Sequence, residues 1–458
     1  MKKLIYCIII TLLPLTFASK ALAVERTEIL KVYNWADYID EDLIPEFEKW
    51  YLEQTGKYVH IVYQTFDINE TMLAKIEVGH EDYDVVCPSE YIIERMLRNN
   101  LLQPINKEII KKNGTPLWFD NVAQFATEKF QQMAPKGSNI NVSDYTIGFM
   151  WGTTGFMYNK KYLKASDLQS WGALYDPRYI GKILMKDAFR DVYSCLVCFA
   201  RYDDILAGKV TRDELVGGDI KDENIRLVED MMRRAKPNIF GWEVDFGKET
   251  MTKGKAWANL TWSGDAAWAM EEAKEVGVDL DYVVPIEGSN VWFDGWVIPK
   301  YAKNPEAASY FIDFMCKPEN ALRNMDAIGY VSVIGSPEVL EGMTGEEGEE
   351  GYEYVDASYI FGEDAKHVLL KPVFYPDKSV IDRCALMHDC ADKTEAMVDM
   401  WSRVKGDSLN TKMIIIISTV IGLLLLLYLS RKYQKYHRKK LRRKRLSLLR
   451  SKDNVTAP

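Results

Sequence analysis

Cysteine is scarce in this chain of 458 residues, with seven in all. Six remain beyond the N-terminal apolar run: Cys87, Cys195, Cys198, Cys316, Cys384 and Cys390. That density excludes a small disulfide-stapled scaffold. Cys195 and Cys198 have redox spacing, but they sit in the apolar stretch 193–199, where a packing role is expected. Histidine is equally sparse, at five residues, and His60, His80, His367, His388 and His437 form no His-Glu-x-x-His metal pattern. No Gly-x-Ser-x-Gly elbow and no phosphate-cradling glycine loop occurs either. The motifs therefore predict no cofactor, no metal centre and no enzyme, although paired acids would keep glycoside hydrolysis chemically open.

Long apolar runs are confined to the two ends. Residues 1–23 read as a secretory leader, with Lys2 and Lys3, an apolar run from Leu4 to Phe17, and Ala21-Leu22-Ala23 as the cleavage site. At the other end Met413 to Leu429 is apolar enough to predict a transmembrane helix over 413–430 after a linker at 407–412. A basic tail, 431–458, follows, and the positive-inside rule places it in the cytoplasm with the chain anchored in the inner membrane. The net charge of −9 conceals an asymmetry: the tail carries +11 and the leader +3, which leaves −23 on residues 24–430. An acidic body of that kind repels nucleic acid and favours encounter with cations.

What the body has in abundance is tryptophan beside aspartate. Trp35-Ala-Asp37-Tyr38, Trp262-Ser-Gly-Asp265 and Trp292-Phe-Asp294 repeat the pairing three times. A carboxylate accepts a charge-assisted bond from an ammonium, and an indole face attracts cations while covering methylene carbon. Together they suit a ligand that is alternately cationic and aliphatic, such as a polyamine. Tryptophans that merely fill a core and aspartates that merely cap turns are the ordinary alternative, so the three pairs carry weight only if they meet in one cleft.

Roughly 380 residues between leader and anchor exceed one comfortable core, so two lobes are expected. Ile29 to Tyr33, Val59 to Phe66 and Tyr83 to Cys87 are strand-like. Between them lie a helix entered near Asp40, with Leu43, Phe47, Trp50 and Tyr51 on one face, and a short helix from Glu70 to Val78. Strands are also expected at 147–158, 182–185 and 257–260, with helices at 187–202 and 265–275. Asn304-Pro305-Glu306 opens another through Lys317. This alternation predicts an α/β fold with a parallel sheet, whose ligands collect at the carboxyl ends of strands. Trp35 to Tyr38, Ser89 to Tyr91, Asp187 to Asp191 and Trp262 to Asp265 all stand at such ends. The stretch 342–353, rich in glycine and glutamate, reads as a solvated loop.

Several segments resemble the periplasmic spermidine/putrescine-binding proteins, solute-binding components of ABC importers. They are Val32 to Ile39, Tyr83 to Tyr91, Trp151 to Gly155, Trp262 to Asp265, Trp292 through Lys300, Asn304 to Ala308 and Ile328-Gly329-Tyr330, spread through residues 29–405. The resemblance implies a bilobed clamshell with crossing strands near 145, 291 and 331, one lobe from 24–145 with 292–331 and the other from 146–291 with 332–406. It implies aromatic walls at Trp35, Tyr38, Tyr91, Trp262, Trp292 and Tyr330, carboxylates at Asp37, Asp191, Asp265 and Asp294, and a hydroxyl partner at Ser89. The implied partners are putrescine or spermidine, a permease and its ATPase. Two departures bear on ligand choice: Ala188 stands where a spermidine-type binder carries an acid, and Asp265 matches the putrescine pattern while Trp292 matches the spermidine one. The C-terminal span lies outside the usual family plan, so a membrane-tethered binder is expected, with a transmembrane polyamine sensor as the alternative.

Overall fold

The computed structural model describes residues 25–112, 117–217, 220–244, 246–406 and 418–433. The leader, the linker and the tail beyond 433 lie outside the described residues. Two compact units divide after Thr394, and the larger one holds the α/β structure.

Its framework is one mixed sheet. In spatial order the strands are His60–Phe66, Ile29–Trp35, Val85–Val86, Ser289–Pro299, Thr146–Asn159, Ala258–Trp262, Ile183–Lys186 and Ile239–Glu243. Each flank is parallel: Ile29–Trp35 pairs parallel with His60–Phe66 and Val85–Val86, and Ile183–Lys186 pairs parallel with Ile239–Glu243 and Ala258–Trp262. The expected alternation of strand and helix accounts for both flanks, because helices such as Leu43–Thr55, Asn69–Glu77, Phe189–Ala200 and Ser263–Glu275 link successive strands.

The centre is antiparallel, unlike the parallel sheet that the alternation of strands and helices predicts. Thr146–Asn159 and Ser289–Pro299 run antiparallel to each other, from Val291 opposite Thr153 to Val297 opposite Thr146. All residues of both strands are buried. The first leaves this pairing at Thr154 to join the Ala258–Trp262 strand, and the second pairs at Val297 with Val86 on the opposite flank. The two long strands thus bridge two α/β clusters and make the fold bilobed. Their register shifts between Asp294 and Gly295, a bulge in the middle of the bridge.

Local chemistry sets the element ends. Asn304 caps the helix Pro305–Met315 by accepting the Ala307 N–H at 3.3 Å, with proline at the first turn. Asp84, whose side chain is fully buried, accepts backbone N–H groups of Lys31 (2.9 Å), Lys303 (2.8 Å) and Asn304 (2.8 Å), and lies 2.8 Å from the Arg26 guanidinium. One carboxylate therefore fastens the Ile29 strand to the start of a helix that lies 220 residues beyond Asp84 itself. Cys195 and Cys198 are free thiols buried in the Phe189–Ala200 helix, where burial pushes both thiol pKa values up. Most of 342–353 is exposed, as a solvated loop would be.

The second unit holds the helix Thr394–Gly406, whose Met397, Met400, Trp401 and Val404 share one buried face, and a helix at 418–433. Here the expected transmembrane helix at 413–430 has to be corrected. No helix among the described residues is long and apolar enough to cross a membrane. The described part of this helix, 418–433, carries Arg431 and Lys432 in its last turn, and residues 413–417 of the expected span lie outside the described residues. The inner-membrane anchor, the cytoplasmic placement of the tail and the sensing alternative all rested on that span and are left without support from the described residues.

Replacing Asp84 by alanine leaves three backbone N–H groups without their acceptor and removes one of the two carboxylates that hold Arg26. Urea unfolding followed by tryptophan fluorescence is expected to show a loss of about 3–5 kcal/mol. A loss below about 1 kcal/mol would mean that the fastening is incidental.

Candidate polyamine cleft

The sequence-expected residues arrive at the centre of the molecule from separate elements. Trp35 ends the Ile29 strand and packs its ring on Phe66, centroids 4.6 Å apart. Ser89 precedes the helix Glu90–Arg98, Asp191 lies in the first turn of Phe189–Ala200, and Asp265 in the first turn of Ser263–Glu275. Carboxylates at these helix starts face the positive end of the helix dipole. Trp292 and Asp294 lie on the Ser289 bridge strand, and Tyr330 follows the left-handed Gly329 that ends the helix Pro318–Ile328.

Asp294 is the meeting point. Its Oδ1 accepts the Ser89 hydroxyl at 2.7 Å and its Oδ2 the Tyr38 hydroxyl at 2.8 Å. Asn69 donates to Ser89 Oγ (3.0 Å) and to the Tyr91 hydroxyl (2.9 Å), which ties Tyr91 into the same network. The Tyr38 ring meets Tyr330 edge-on at 5.1 Å, and Tyr330 meets Trp292 at 5.6 Å. Asp191 forms a second centre, its Oδ1 accepting from Asn290 (2.8 Å), the Trp262 indole N–H (3.1 Å) and the Thr154 hydroxyl (3.3 Å). Asp265 forms a third, with Tyr330 donating to Oδ1 at 2.8 Å and Lys186 to Oδ2 at 2.5 Å. Tyr330 and Trp262 link the three centres. Asp37 stands apart: it is exposed, holds φ at +50°, and makes no hydrogen bond or ion pair among the described residues.

Two glycines of the quoted motifs owe their place to close approach. A Cβ on Gly152 would lie 2.4 Å from the Trp292 ring, and one on Gly264 would lie 2.4 Å from the Tyr330 ring.

The electrostatics divide the acids. Burial pushes the Asp294 carboxyl up to about 6, against the hydrogen bonds from Ser89 and Tyr38, and the nearby Asp191 charge adds to the rise. Burial also raises Asp191, and raises Glu90 well above the usual carboxylate range. Burial opposes ionisation of Asp265 too, but Lys186 and then Lys248 outweigh it and hold this carboxyl low. Among the described residues neither Asp294 nor Asp191 has an ion-pair partner, whereas Asp265 has two: Lys186 at 2.5 Å and Lys248 at 3.6 Å.

Several residues around these centres were not read from the sequence. Glu90 is fully buried and accepts the Phe293 N–H at 3.1 Å. It lay within a quoted motif with no role attached. Asn69, Thr154 and Asn290 gave no signal, since neutral polar residues in strands and helices have many uses. Lys186 precedes, and Arg190 lies within, the Asp187–Asp191 segment from which only the acid was taken. Arg190 places its guanidinium 4.2 Å from the Tyr91 ring centroid and 3.6 Å from Glu70, reaching from one α/β cluster to the other. This contact and the burial of Asp294, Asp191 and Trp292 describe a shut cleft.

A bilobed α/β molecule with acids and aromatic rings converging on its bridge strands is a ligand-enclosing binder in architecture. Residues 43–342 match the family described as bacterial extracellular solute-binding protein, and the chain belongs to that family. It is 27% identical over 317 residues to the spermidine/putrescine-binding periplasmic protein of Escherichia coli K12, covering 69% of this chain and 80% of that one. It is 26% identical over 325 residues to the putrescine-binding periplasmic protein PotF of the same organism, covering 68% and 79%. Among solved structures it is similar to the spermidine/putrescine ABC transporter substrate-binding protein PotD from Streptococcus pneumoniae, in complex with calcium and HEPES. That likeness has a TM-score of 0.59 and 28% identity, over 82% of this chain and 98% of the other.

Because the folded Asp294 pKa lies above that of an unfolded aspartate, the native state binds the extra proton between about pH 4 and 6. Its contribution to stability therefore falls as pH rises through that window. Asp294→Asn should raise the unfolding free energy of the ligand-free protein at pH 8 by up to about 3 kcal/mol and flatten that pH dependence. Denaturant titrations at pH 4, 6 and 8 check it; a variant less stable than the parent at pH 8 would contradict the assignment.

Proposed function

We propose that this chain is the extracytoplasmic polyamine-binding component of an ABC importer, closing on its ligand and presenting the closed form to a permease and its ATPase. The observation that carries this reading is the pair of buried carboxylates, Asp294 and Asp191, which have no ion-pair partner among the described residues and stand among aromatic rings. Such charges are costly to bury alone and become favourable when an ammonium arrives with them. The printed names of the relatives, which bind spermidine or putrescine, support the same ligand class.

In this reading Asp37 and the acidic body attract the cation, and Trp35, Tyr38, Tyr91, Trp292 and Tyr330 wall its carbon chain. Ser89 and Tyr38 orient Asp294 toward an ammonium through their hydroxyls, and the Trp262 N–H orients Asp191. Closure hinges on the two bridge strands and removes water from the charged contacts, which strengthens them. The bridge bulge at Asp294 aims that carboxylate into the cleft between the two α/β clusters.

Calorimetric titration of the full chain with putrescine, cadaverine, spermidine and spermine, with a neutral sugar and an amino acid as controls, tests the proposal. One-to-one binding of an amine and silence from both controls is the expected result. Affinity should fall about tenfold per pH unit below about 6 as Asp294 takes up its proton. Asp294→Asn combined with Trp262→Ala should weaken binding at least about 100-fold. No heat from any amine with folded protein would sink the ligand class.

A further inference from the structure

One of the three acid centres already holds an ammonium. Lys186 ends the strand Ile183–Lys186, and its side chain is 1% exposed. Its Nζ donates to Asp265 Oδ2 at 2.5 Å and to the Val244 carbonyl, lies 3.7 Å from Glu243 Oε1, and stands 4.1 Å from the centroid of the Trp262 ring. An acid, a second acid, a carbonyl and an indole face are the set of groups a bound alkylammonium would seek. Lys186 brings four methylenes and an ammonium to them from within the chain.

The remaining valence of Asp265 is also taken, with Tyr330 donating to Oδ1 at 2.8 Å and Lys248 lying 3.6 Å away. Glu243 accepts from Asn259 (3.0 Å) and from the Gly247 N–H (3.2 Å). Two carboxylates and two ammonium groups thus meet at this end of the cleft, and a further cation would face the buried Lys186 charge with no acid to offset it. At Asp294 and Asp191 the balance is reversed, because both receive only neutral donors.

We propose that Lys186 is a built-in ammonium that fills the Asp265–Trp262 station and restricts the cleft to dications spanning Asp294 and Asp191, so that diamines bind and triamines are rejected. Lys186 is then a specificity-determining residue, and it acts by repulsion: the third charge of a triamine is excluded because a tethered copy of it is already in place. This deepens the polyamine reading above and rests on it.

The test compares diamine and triamine affinities of the full chain before and after Lys186→Met, which keeps the aliphatic stem and removes the charge. The unaltered protein should bind putrescine or cadaverine at least tenfold more tightly than spermidine, and Lys186→Met should raise spermidine affinity relative to putrescine by at least tenfold. A ratio unmoved by a folded Lys186→Met overturns the role of Lys186 while leaving amine binding intact. Absence of binding to every amine by the unaltered chain overturns the ligand class and this inference together. Should Lys186→Met fail to fold, the parent protein still answers. With lysine ammonium groups labelled with nitrogen-15, the slowly exchanging Lys186 signal should persist unshifted through titration with putrescine and with spermidine. Its displacement by either amine would overturn the proposal.

Discussion

The pairing of two long antiparallel strands, Thr146–Asn159 against Ser289–Pro299, is the constraint on which the rest of this molecule depends. Both are buried along their whole length, which is the reason their sequences carry so much aromatic and small-residue character and so little charge. Parallel βαβ units grow outward from each side of the pair. Because the bridge strands belong to both clusters, any residue placed at their middle faces both. Thr154, Asn290, Trp292 and Asp294 occupy that stretch. A bulge between Asp294 and Gly295 breaks the register at the point where a carboxylate has to be aimed.

Much of this was legible beforehand, and the legible parts share a cause. The flanking elements follow from short-range periodicity and capping, as in the Leu43, Phe47 and Tyr51 face and the Asn304-Pro305-Glu306 start, since these signals act over one or two turns. The antiparallel centre was not legible in local pattern, because pairing between residues 138 to 151 apart leaves no trace there; only the family resemblance implied crossing strands near 145 and 291. The C-terminal span was misread for a related reason. Apolar composition over 413–429 is a local signal that does not by itself fix a membrane-crossing helix, and no helix among the described residues is long and apolar enough to cross a membrane.

Within the cleft, the tryptophan–aspartate pairs pointed to Trp262, Asp265, Trp292 and Asp294, and the family resemblance implied Tyr91, Asp191 and Tyr330, but the electrical state of the acids was not legible. Asp191, Asp265 and Asp294 look alike in sequence. In the structure one is held by three neutral donors, one by two lysines and a tyrosine, and one by two hydroxyls. Lys186 was invisible as part of this arrangement because a lysine at the end of a strand is ordinarily solvated. Only the fold discloses that it turns inward, onto Trp262 and Asp265.

Comparison of Asp84 with Asp294 separates an acid matched within the fold from one that is not. Asp84 has three backbone donors and a guanidinium, so its charge is matched when the protein is empty and nothing further would gain by approaching it. Asp294 has two hydroxyls and no cation among the described residues, and burial drives its pKa toward neutrality. Under the proposed function, the free energy withheld at Asp294 is what a cationic ligand would recover on entering, so weak satisfaction of the acid would be the physical source of affinity. By the same measure Asp265, already matched by Lys186, has little left to offer a ligand. On the proposed reading, a cleft with two unmatched acids and one matched acid would set a charge count before it sets a chain length.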